Sequence, residues 1–264
     1  MRYTRPSTLA ETLADLGQGG MALGGGTLLL PRDAADVGAE QLLVDLQALP
    51  LHDLIVDGGF LSIGAMVTLA RIAASPLISP AWKALAQAAH AVGNPNVRRA
   101  ATIGGNVAWP GGDLHAALLV LDASVVCDGG ACELPIRNII EGGVRGGALV
   151  TSIRLPQDDT RHSAYVKFAW RAASGKTIVA VAASTTAKNG APRLAAAGVA
   201  ARAMRLPDAE ALLAGGPVTP EAVEDAARAA GAELPFEMAK PPGEKYRRRL
   251  VAEGVRRLLA AVRS

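Results

Sequence analysis

The chain has 264 residues, of which 50% are apolar and only 3% aromatic, and its 27 Lys and Arg nearly balance 24 Asp and Glu. This length allows a substantial core and two domains. The net charge of +3 is scattered rather than gathered in a basic stripe with aromatics, which argues against nucleic-acid binding. No apolar run is long enough to span a membrane, and the first residues lack the apolar segment of an export signal. We therefore expect a cytoplasmic protein.

The cysteines and histidines argue against a metal centre within the chain. Cys127 and Cys132 flank a glycine-containing segment typical of a hairpin tip. Two reduced thiols are expected in a cytosolic protein, although a disulfide between them stays open. An iron–sulfur cluster needs about four cysteine ligands, so the chain cannot hold one by itself. The four histidines are scattered without the spacing of a metal pair, and each is expected to be a surface or packed residue.

Strands and helices alternate in the first part of the chain. Apolar spacing predicts a helix from Thr8 to Leu16, which Ser7 can cap. Asp57-Gly58-Gly59 is typical of a hairpin turn between strands within 54–63. The other predicted strands cover 21–23, 42–46, 124–127, 132–135 and 150–155. The other predicted helices cover 68–74, 80–91 and 114–121.

A polar break at 157–161 is the best candidate for a domain boundary. Beyond it, β-like segments cover 164–171, 177–188 and 193–201, with Asn189-Gly190 as the turn between the last two. Helical spacing then covers 207–213, 219–230 and 244–262. The predicted class is α+β, with an N-terminal domain over 1–157 and a C-terminal domain over 162–264 that joins a small antiparallel sheet to a helical bundle.

Two glycine-rich segments carry the strongest functional signal, Gly24-Gly25-Gly26-Thr27 and Thr102-Ile103-Gly104-Gly105-Asn106. Glycine lets a backbone approach a ligand closely, and exposed N–H groups can cradle phosphate oxygens. Two such segments could grip one diphosphate from both sides, which predicts a dinucleotide cofactor. Neither the Rossmann nor the P-loop pattern is present, so another architecture must bind it. A lone glycine pair is more often a turn, and Thr102 and Asn106 can equally be a turn cap and an Asx-turn.

Read with their flanks, these segments resemble the FAD-binding (medium) subunit of the xanthine dehydrogenase and carbon monoxide dehydrogenase family of molybdenum hydroxylases. The Thr-Ile-Gly-Gly-Asn block at 102–106 is the most specific part, since other flavoproteins of related fold carry a similar first glycine run. The resemblance follows segments over nearly the whole chain, at 3–9, 23–31, 43–46, 61–68, 97–106, 113–114, 118–123, 153–156, 165–167 and 246–250.

The resemblance implies a two-part FAD-binding domain of the p-cresol methylhydroxylase (PCMH) and vanillyl-alcohol-oxidase type, followed by the C-terminal domain. It implies FAD that is held without a covalent bond, mainly by backbone groups, and it implies no catalytic acid or base. The cofactor-binding residues that it implies are Leu23, Gly24, Gly25, Gly26, Thr27, Leu28, Leu29, Thr102, Ile103, Gly104, Gly105, Asn106, Asp113, Val150 and Lys167.

Four positions keep two interpretations each. By resemblance Asp113 contacts the adenosine half of FAD, but it can also cap the helix that begins at Leu114. Lys167 matches a lysine near the flavin ring, where a cation would stabilise a reduced flavin; it could instead be a surface lysine on an edge strand. Val150 matches a position whose backbone touches the cofactor, or is plain strand core. The run Arg247-Arg248-Arg249 looks like a phosphate-binding run, but in a helix a solvated or intersubunit face is expected.

By the same resemblance, the chain is expected to be an electron-transfer subunit. Electrons would leave the substrate at molybdopterin in a large subunit, cross [2Fe–2S] clusters in a small subunit, reach FAD in this chain and pass to NAD, oxygen or another acceptor. Two alternatives stay open: an autonomous flavin-dependent oxidoreductase of related fold, and an assembly module that has lost FAD. Leu28, where the family often has a polar residue, and the short segment between Asn106 and Asp113 keep the second alternative open.

Overall fold

The computed structural model describes residues 2–30, 41–78, 80–171, 175–185, 192–214, 218–235 and 242–262. The predicted turn Asn189-Gly190 lies outside these ranges. The strands are β1 (Arg2–Thr4), β2 (Met21–Leu23), β3 (Leu42–Asp45), β4 (Leu54–Asp57), β5 (Phe60–Gly64), β6 (Ser124–Cys127), β7 (Cys132–Pro135), β8 (Val150–Pro156), β9 (His162–Ala169), β10 (Thr177–Thr185), β11 (Arg193–Ala197) and β12 (Met204–Arg205). The helices are α1 (Leu9–Gly17), α2 (Leu69–Ala74), α3 (Lys83–His90), α4 (Pro95–Ala100), α5 (Ile103–Ala108), α6 (His115–Val120), α7 (Ile136–Gly142), α8 (Pro207–Ala211), α9 (Pro220–Ala232) and α10 (Glu244–Ala261).

Two sheets build the N-terminal half. The first is parallel, in the order β1-β3-β2, and α1 connects the two strands that lie on either side of β3. Its central strand is buried along its whole length and packs with Leu16 of α1 in a small apolar cluster. The second sheet is antiparallel, in the order β4-β5-β8-β6-β7. One of its faces joins α2, α3, α6 and α7 in the largest core of the described chain.

The first helix is capped one residue later than the sequence predicted. Thr8, not Ser7, is the N-cap, and its hydroxyl accepts a hydrogen bond from Glu11 N at 3.2 Å. The Glu11 carboxylate reaches back and accepts from the N–H groups of Ser7 and Thr8, which completes a capping box. Hydrogen bonds from the Ser7 N–H first, and then from Thr8, lower the pKa of Glu11.

The C-terminal half is an antiparallel sheet in the order β12-β11-β10-β9, of which β12 was not predicted. Successive side chains of a strand point to opposite faces of the sheet, and both faces of β10 pack against apolar side chains. Ala180 and Ala182 join the N-terminal core, whereas Val179, Val181 and Ala183 pack with α8, α9 and α10. Small side chains on the first face allow α6 to approach closely, so the two halves of the chain share one core. The mixed helix-and-sheet class is confirmed, while the division into domains 1–157 and 162–264 stays a prediction.

The two cysteines face each other across the β6–β7 hairpin. Cys127 and Cys132 are directly paired in the register of the two strands, as the predicted hairpin requires. Both thiols are free, with Cys127 buried and Cys132 half-buried. Burial raises the pKa of Cys127, and the neighbouring Asp128 and Cys132 add to that effect. The thiol at Cys127 is therefore held in its neutral form and packs as an apolar side chain.

Within the arginine run of α10, Arg247 is not on the solvated face that the sequence predicted. Arg247 is only 4% exposed and donates hydrogen bonds to three backbone carbonyls, those of Ile178, Gly198 and Pro242. These carbonyls belong to the start of β10, the turn after β11 and the entry to α10. Arg249 lies exposed on the same helix. One arginine of the run therefore organises the C-terminal half from inside.

Replacing Arg247 with Met keeps a long apolar stem but removes every donor, so one buried and two part-buried carbonyls lose this partner. We expect the free energy of unfolding to fall by about 3 kcal/mol, because each unsatisfied buried group costs roughly 1–3 kcal/mol. Arg249→Met is the matched control and should change stability by less than about 0.5 kcal/mol. Urea denaturation followed by circular dichroism measures both. Equal stability of the two variants would contradict a structural role for Arg247.

Candidate functional site: a cleft between the glycine segments

The two glycine segments line one cleft in the N-terminal half. The cleft has a volume of about 430 Å3, within the range of small-molecule sites. Its walls come from the end of β2, the start of α5, the start of β8 and the loop 143–149. All predicted cofactor-binding residues line this cleft except Ile103 and Lys167.

The first glycine segment presents a row of free backbone donors to the cleft. After Leu23 ends β2, the N–H groups of residues 24–29 make no hydrogen bond with any part of the chain that the structure describes. The segment is nevertheless ordered as a turn, because Leu30 N donates to Gly26 O at 2.9 Å. Unpaired backbone N–H groups need an acceptor. A ligand with several oxygen acceptors, such as a diphosphate, satisfies that need.

Glycine is required at this turn for two different reasons. A Cβ on Gly25 would lie 1.7 Å from Ala100 O, so no side chain fits between this backbone and the segment before α5. Gly26 has a φ of +69°, in the left-handed region that other residues rarely adopt. Gly24 also lies close to the second segment, since a Cβ there would be 2.8 Å from Thr102 Oγ1. The two glycine segments therefore touch, as a shared grip on one ligand requires.

The second segment is the first turn of α5 rather than an open loop. Thr102 is the N-cap, and its hydroxyl accepts a hydrogen bond from Gly105 N at 3.3 Å. Ile103 N donates to Val67 O and Gly104 N donates to Ala65 O, at 3.0 and 2.9 Å. The expectation that both segments offer free N–H groups to phosphate is therefore wrong for the second one. Ile103 is absent from the cleft wall because its side chain is fully buried in the core.

The two glycines of α5 have different tasks. A Cβ on Gly104 would lie 2.6 Å from Ala65 Cβ, so this glycine lets the helix sit directly on the turn after β5. Gly105 is exposed, and a Cβ there would meet only Thr102 Oγ1, at 3.1 Å. Its φ is not positive, contrary to one reason for expecting glycine there. The glycine at 105 thus keeps space free in the cleft, and it is not needed for a left-handed backbone conformation.

Asn106 fixes the segment that follows α5. Its Oδ1 accepts a hydrogen bond from Leu114 N at 3.0 Å, a link to the next helix rather than the expected Asx-turn. Beside it, His115 Nε2 lies 3.0 Å from Val107 O. His115 is buried, and its Nδ1 has no partner among the residues described. Desolvation lowers the pKa of His115, so the ring is neutral and Nε2 is the donor to Val107 O. The other three histidines are exposed.

Asp113 does not cap α6, contrary to one of its two interpretations. The N-cap is Leu114, without a side-chain cap. The Asp113 carboxylate instead accepts a hydrogen bond from Thr177 Oγ1 at 3.0 Å and lies 4.0 Å from Lys167 Nζ. Lys167 is on an edge strand but is not a surface lysine, since its side chain is 11% exposed and donates to Ala91 O at 2.9 Å. Lys167 therefore reaches the cleft only through Asp113.

This pairing conflicts with separate roles for the two residues. The adenosine and the flavin ring of an extended FAD lie at opposite ends of the molecule. Side chains whose charged atoms are 4.0 Å apart act at the same end. Asp113 also offsets the charge of Lys167, which weakens the lysine as a cation for a reduced flavin.

Several lining residues were missed from the sequence. Trp109 is half-buried in the cleft wall, and Met66 and Leu149 add apolar surface. Arg145 and Gly147 come from a glycine-rich loop, 142–147, that could have been noticed by composition. Val150, whose side chain is buried, lines the cleft as well as the core. Apolar residues such as Met66 carry no signal until the strands are folded.

Within the described ranges, no group of three His, Cys, Asp or Glu side chains could hold a metal ion. None of the described helices combines the length and the apolar character needed to cross a membrane.

Comparison with known proteins agrees with this geometry over both halves. A family model for the FAD binding domain in molybdopterin dehydrogenase matches residues 1–158. A second model, for the CO dehydrogenase flavoprotein C-terminal domain, matches residues 163–262. The nicotine 6-hydroxylase medium subunit of Paenarthrobacter nicotinovorans is 27% identical over 272 residues, which cover 98% of this chain and 96% of the relative. The carbon monoxide dehydrogenase medium chain of Hydrogenophaga pseudoflava is 33% identical over 133 residues, 48% of this chain and 46% of the relative.

Solved structures are similar over the full length. A chain of carbon monoxide dehydrogenase from Hydrogenophaga pseudoflava, in a form that lacks the Mo-pyranopterin moiety, superposes with a TM-score of 0.90 at 28% identity, covering 99% of this chain and 96% of that one. A chain of quinoline 2-oxidoreductase from Pseudomonas putida 86 gives a TM-score of 0.89 at 23% identity, with coverage of 99% and 96%, and shows the shared fold.

The chain belongs to the family of FAD-binding domains in molybdopterin dehydrogenases. It is an FAD-binding medium subunit of the molybdenum hydroxylase family, and thus a flavoprotein of the oxidoreductase class. The family resemblance and the FAD cofactor that the sequence indicated are confirmed.

Replacing Gly105 with Val places a branched side chain in the cleft. We expect FAD affinity to fall about 10- to 100-fold, since overpacking a filled site costs roughly 1–3 kcal/mol. The apoprotein should keep its stability, because valine is a better helix former than glycine. Flavin fluorescence titration and thermal melting measure the two effects. Gly104→Ala is the control and should lower the melting temperature instead. A full complement of FAD in Gly105→Val would mean that this glycine does not face the cofactor.

The buried His115 predicts a loss of stability in mild acid. Burial lowers its pKa, so the unfolded state binds the proton more readily than the folded state. The free energy of unfolding that the neutral ring contributes is complete above the ordinary histidine pKa of about 6.5. It is lost as the pH falls below that value. In urea unfolding between about pH 7 and pH 5, the wild type should lose more stability than His115→Gln. His162→Gln, which changes an exposed histidine, should follow the wild type. Identical slopes for all three proteins would contradict this assignment.

Proposed function

We propose that the chain carries electrons between two partners of a molybdenum hydroxylase complex. In this proposal, molybdopterin in a large subunit supplies the electrons to [2Fe–2S] clusters of a small subunit. This chain takes the electrons from those clusters and passes them to NAD, oxygen or another acceptor. The row of unpaired N–H groups at 24–29, inside a cleft of an FAD-binding domain, is the observation that carries it. The relatives named as medium subunits of a nicotine hydroxylase and of carbon monoxide dehydrogenase support the same assignment.

The residues of the cleft bind and orient the cofactor in this proposal, and none of them acts as an acid or a base. Residues 24–29 donate to the diphosphate, and Gly105 leaves the space beside it. Thr102 caps the first turn of α5 through Gly105 N, and Asn106 holds the segment that follows α5 through Leu114 N. FAD supplies the redox chemistry by accepting electrons and releasing them again.

Asp113 and Lys167 act together at one end of the cofactor in this assignment. Their charges are 4.0 Å apart, and Thr177 Oγ1 donates to the same carboxylate. Lys167 lies on β9 and Thr177 begins β10, whereas Asp113 lies in the segment that follows α5. The pair therefore aligns the C-terminal half with the cleft while adding little net charge to it.

The cofactor is FAD rather than FMN, and it is not covalently bound. The N–H groups at 24–29 suit a diphosphate, and the cleft wall at 102–106 leaves room for a nucleoside beyond it. None of the described residues that line the cleft is a cysteine, histidine or tyrosine, the side chains able to form a bond to the flavin. The exposed Leu28 is part of the cleft wall and does not remove the backbone donors.

The proposed assembly contains the large molybdopterin subunit and the small [2Fe–2S] subunit, in the cytoplasm. The chain's own two cysteines are too few for a cluster. They are unbonded although they face each other across a hairpin, which favours a reducing compartment. We further propose that residues 1–157 and 162–264 form the FAD-binding domain and the C-terminal domain.

An assembly module without FAD and an autonomous flavoenzyme would each give results different from those expected of an electron-transfer subunit. The expressed chain should be yellow, and acid should release a compound that chromatographs as FAD. A colourless chain that does not take up added FAD would favour an assembly module. Flavin that stays with the precipitate, or release of FMN, would contradict the cofactor assignment.

We also expect the chain alone to show at most weak oxidation of reduced nicotinamide by an artificial acceptor. Co-expression with the adjacent genes should yield a larger complex that hydroxylates an aldehyde or an N-heterocycle. Sedimentation and turnover assays measure both properties. Full substrate turnover by the chain alone would favour the autonomous flavoenzyme and overturn the subunit proposal.

A further inference from the structure

The charged side chains that line the cleft differ in whether they have partners within the described chain. Only Asp113 and Arg145 are ionisable among the described lining residues. Asp113 has partners in Thr177 and Lys167. Arg145 is exposed, and its guanidinium makes no hydrogen bond or ion pair with any residue that the structure describes. Among the described lining residues, Arg145 is therefore a cation without a counter-charge.

The loop that carries Arg145 is anchored at several points. It runs from the end of α7 to β8, with Gly143 and Gly147 at φ of +75° and +79°. Ala148 N donates to Arg145 O at 3.0 Å, which closes a turn around the arginine. Leu149 N donates to Asp128 Oδ1 at 2.7 Å. A Cβ on Gly147 would lie 3.7 Å from Gly17 Cα, so the loop sits against the end of α1, just before β2.

The ligand assigned to this cleft brings the opposite charge. The diphosphate of FAD carries two negative charges, whereas the N–H groups at 24–29 supply hydrogen bonds but no net charge. Arginine is well suited to phosphate, because its planar guanidinium can donate two parallel hydrogen bonds. We propose that Arg145 binds the diphosphate of FAD and offsets part of its negative charge. This inference rests on the proposed function, because it deepens the assignment of the same cleft.

The test is the FAD affinity of the full-length apoprotein at two salt concentrations. Wild type, Arg145→Gln, Arg145→Lys and Arg137→Gln are titrated with FAD at about 20 mM and about 500 mM sodium chloride, where the screening length differs severalfold. Arg137 is the matched control, since it is an exposed arginine of the same half that does not line the cleft. Thermal melting of each apoprotein reports whether the fold is kept.

We expect Arg145→Gln to raise the Kd for FAD about 10- to 100-fold at low salt, the range for one charge-assisted hydrogen bond. The Kd should then depend less on salt than in the wild type. Arg145→Lys should recover the salt dependence and part of the affinity, since it restores the charge but not the paired donors, and Arg137→Gln should match the wild type. An unchanged Kd in Arg145→Gln, or a loss with unaltered salt dependence, would overturn the inference. Failure of the wild type itself to bind FAD would instead refute the proposed function.

Discussion

The close approach of two backbones is the constraint on which the cofactor site depends. Gly25 runs so near to Ala100 that even one methyl group would collide with the carbonyl. This contact brings the turn after β2 against the segment that leads into α5, although the two are far apart in sequence. Within the described chain the turn is closed by Leu30 N, and the other N–H groups of this cleft-lining segment stay without an acceptor there. The site is thus a consequence of backbone packing rather than of reactive side chains.

The second constraint is the core shared by the two halves. β10 sends small alanine side chains toward α6 and larger apolar ones toward α10. Edge strand β9 is covered by α3, where Gln87 Oε1 accepts from Tyr165 N at 2.8 Å and Lys167 Nζ donates to Ala91 O. Covering an edge strand removes its tendency to pair with other chains. The same contacts set Lys167 beside Asp113, so packing between the halves fixes the end of the cleft.

The electrostatics of the cleft follow from which charges find partners inside the fold. Asp113 and Lys167 offset each other, and His115 is kept neutral by burial. Arg145 stays without such a partner in the described part of the chain. The described wall of the cleft is thus mostly apolar, with few charged side chains, as is common in cofactor sites.

The sequence by itself determined the α+β class, most strands and helices, the family and the two glycine segments. These features depend on local patterns: apolar periodicity, turn residues, and the Thr-Ile-Gly-Gly-Asn block. It also indicated most of the cleft wall, because the glycines that allow close approach are visible as residue types. It misjudged Asp113 as a cap of α6 and Arg247 as part of a solvated or intersubunit face, and it did not single out Arg145. Only the tertiary structure gave the surroundings of these three residues, because they depend on distant carbonyls, carboxylates or an open cleft brought near by folding. The same reason separates Gly104 from Gly105: they are identical and adjacent in sequence, but one packs on Ala65 and the other faces the cleft.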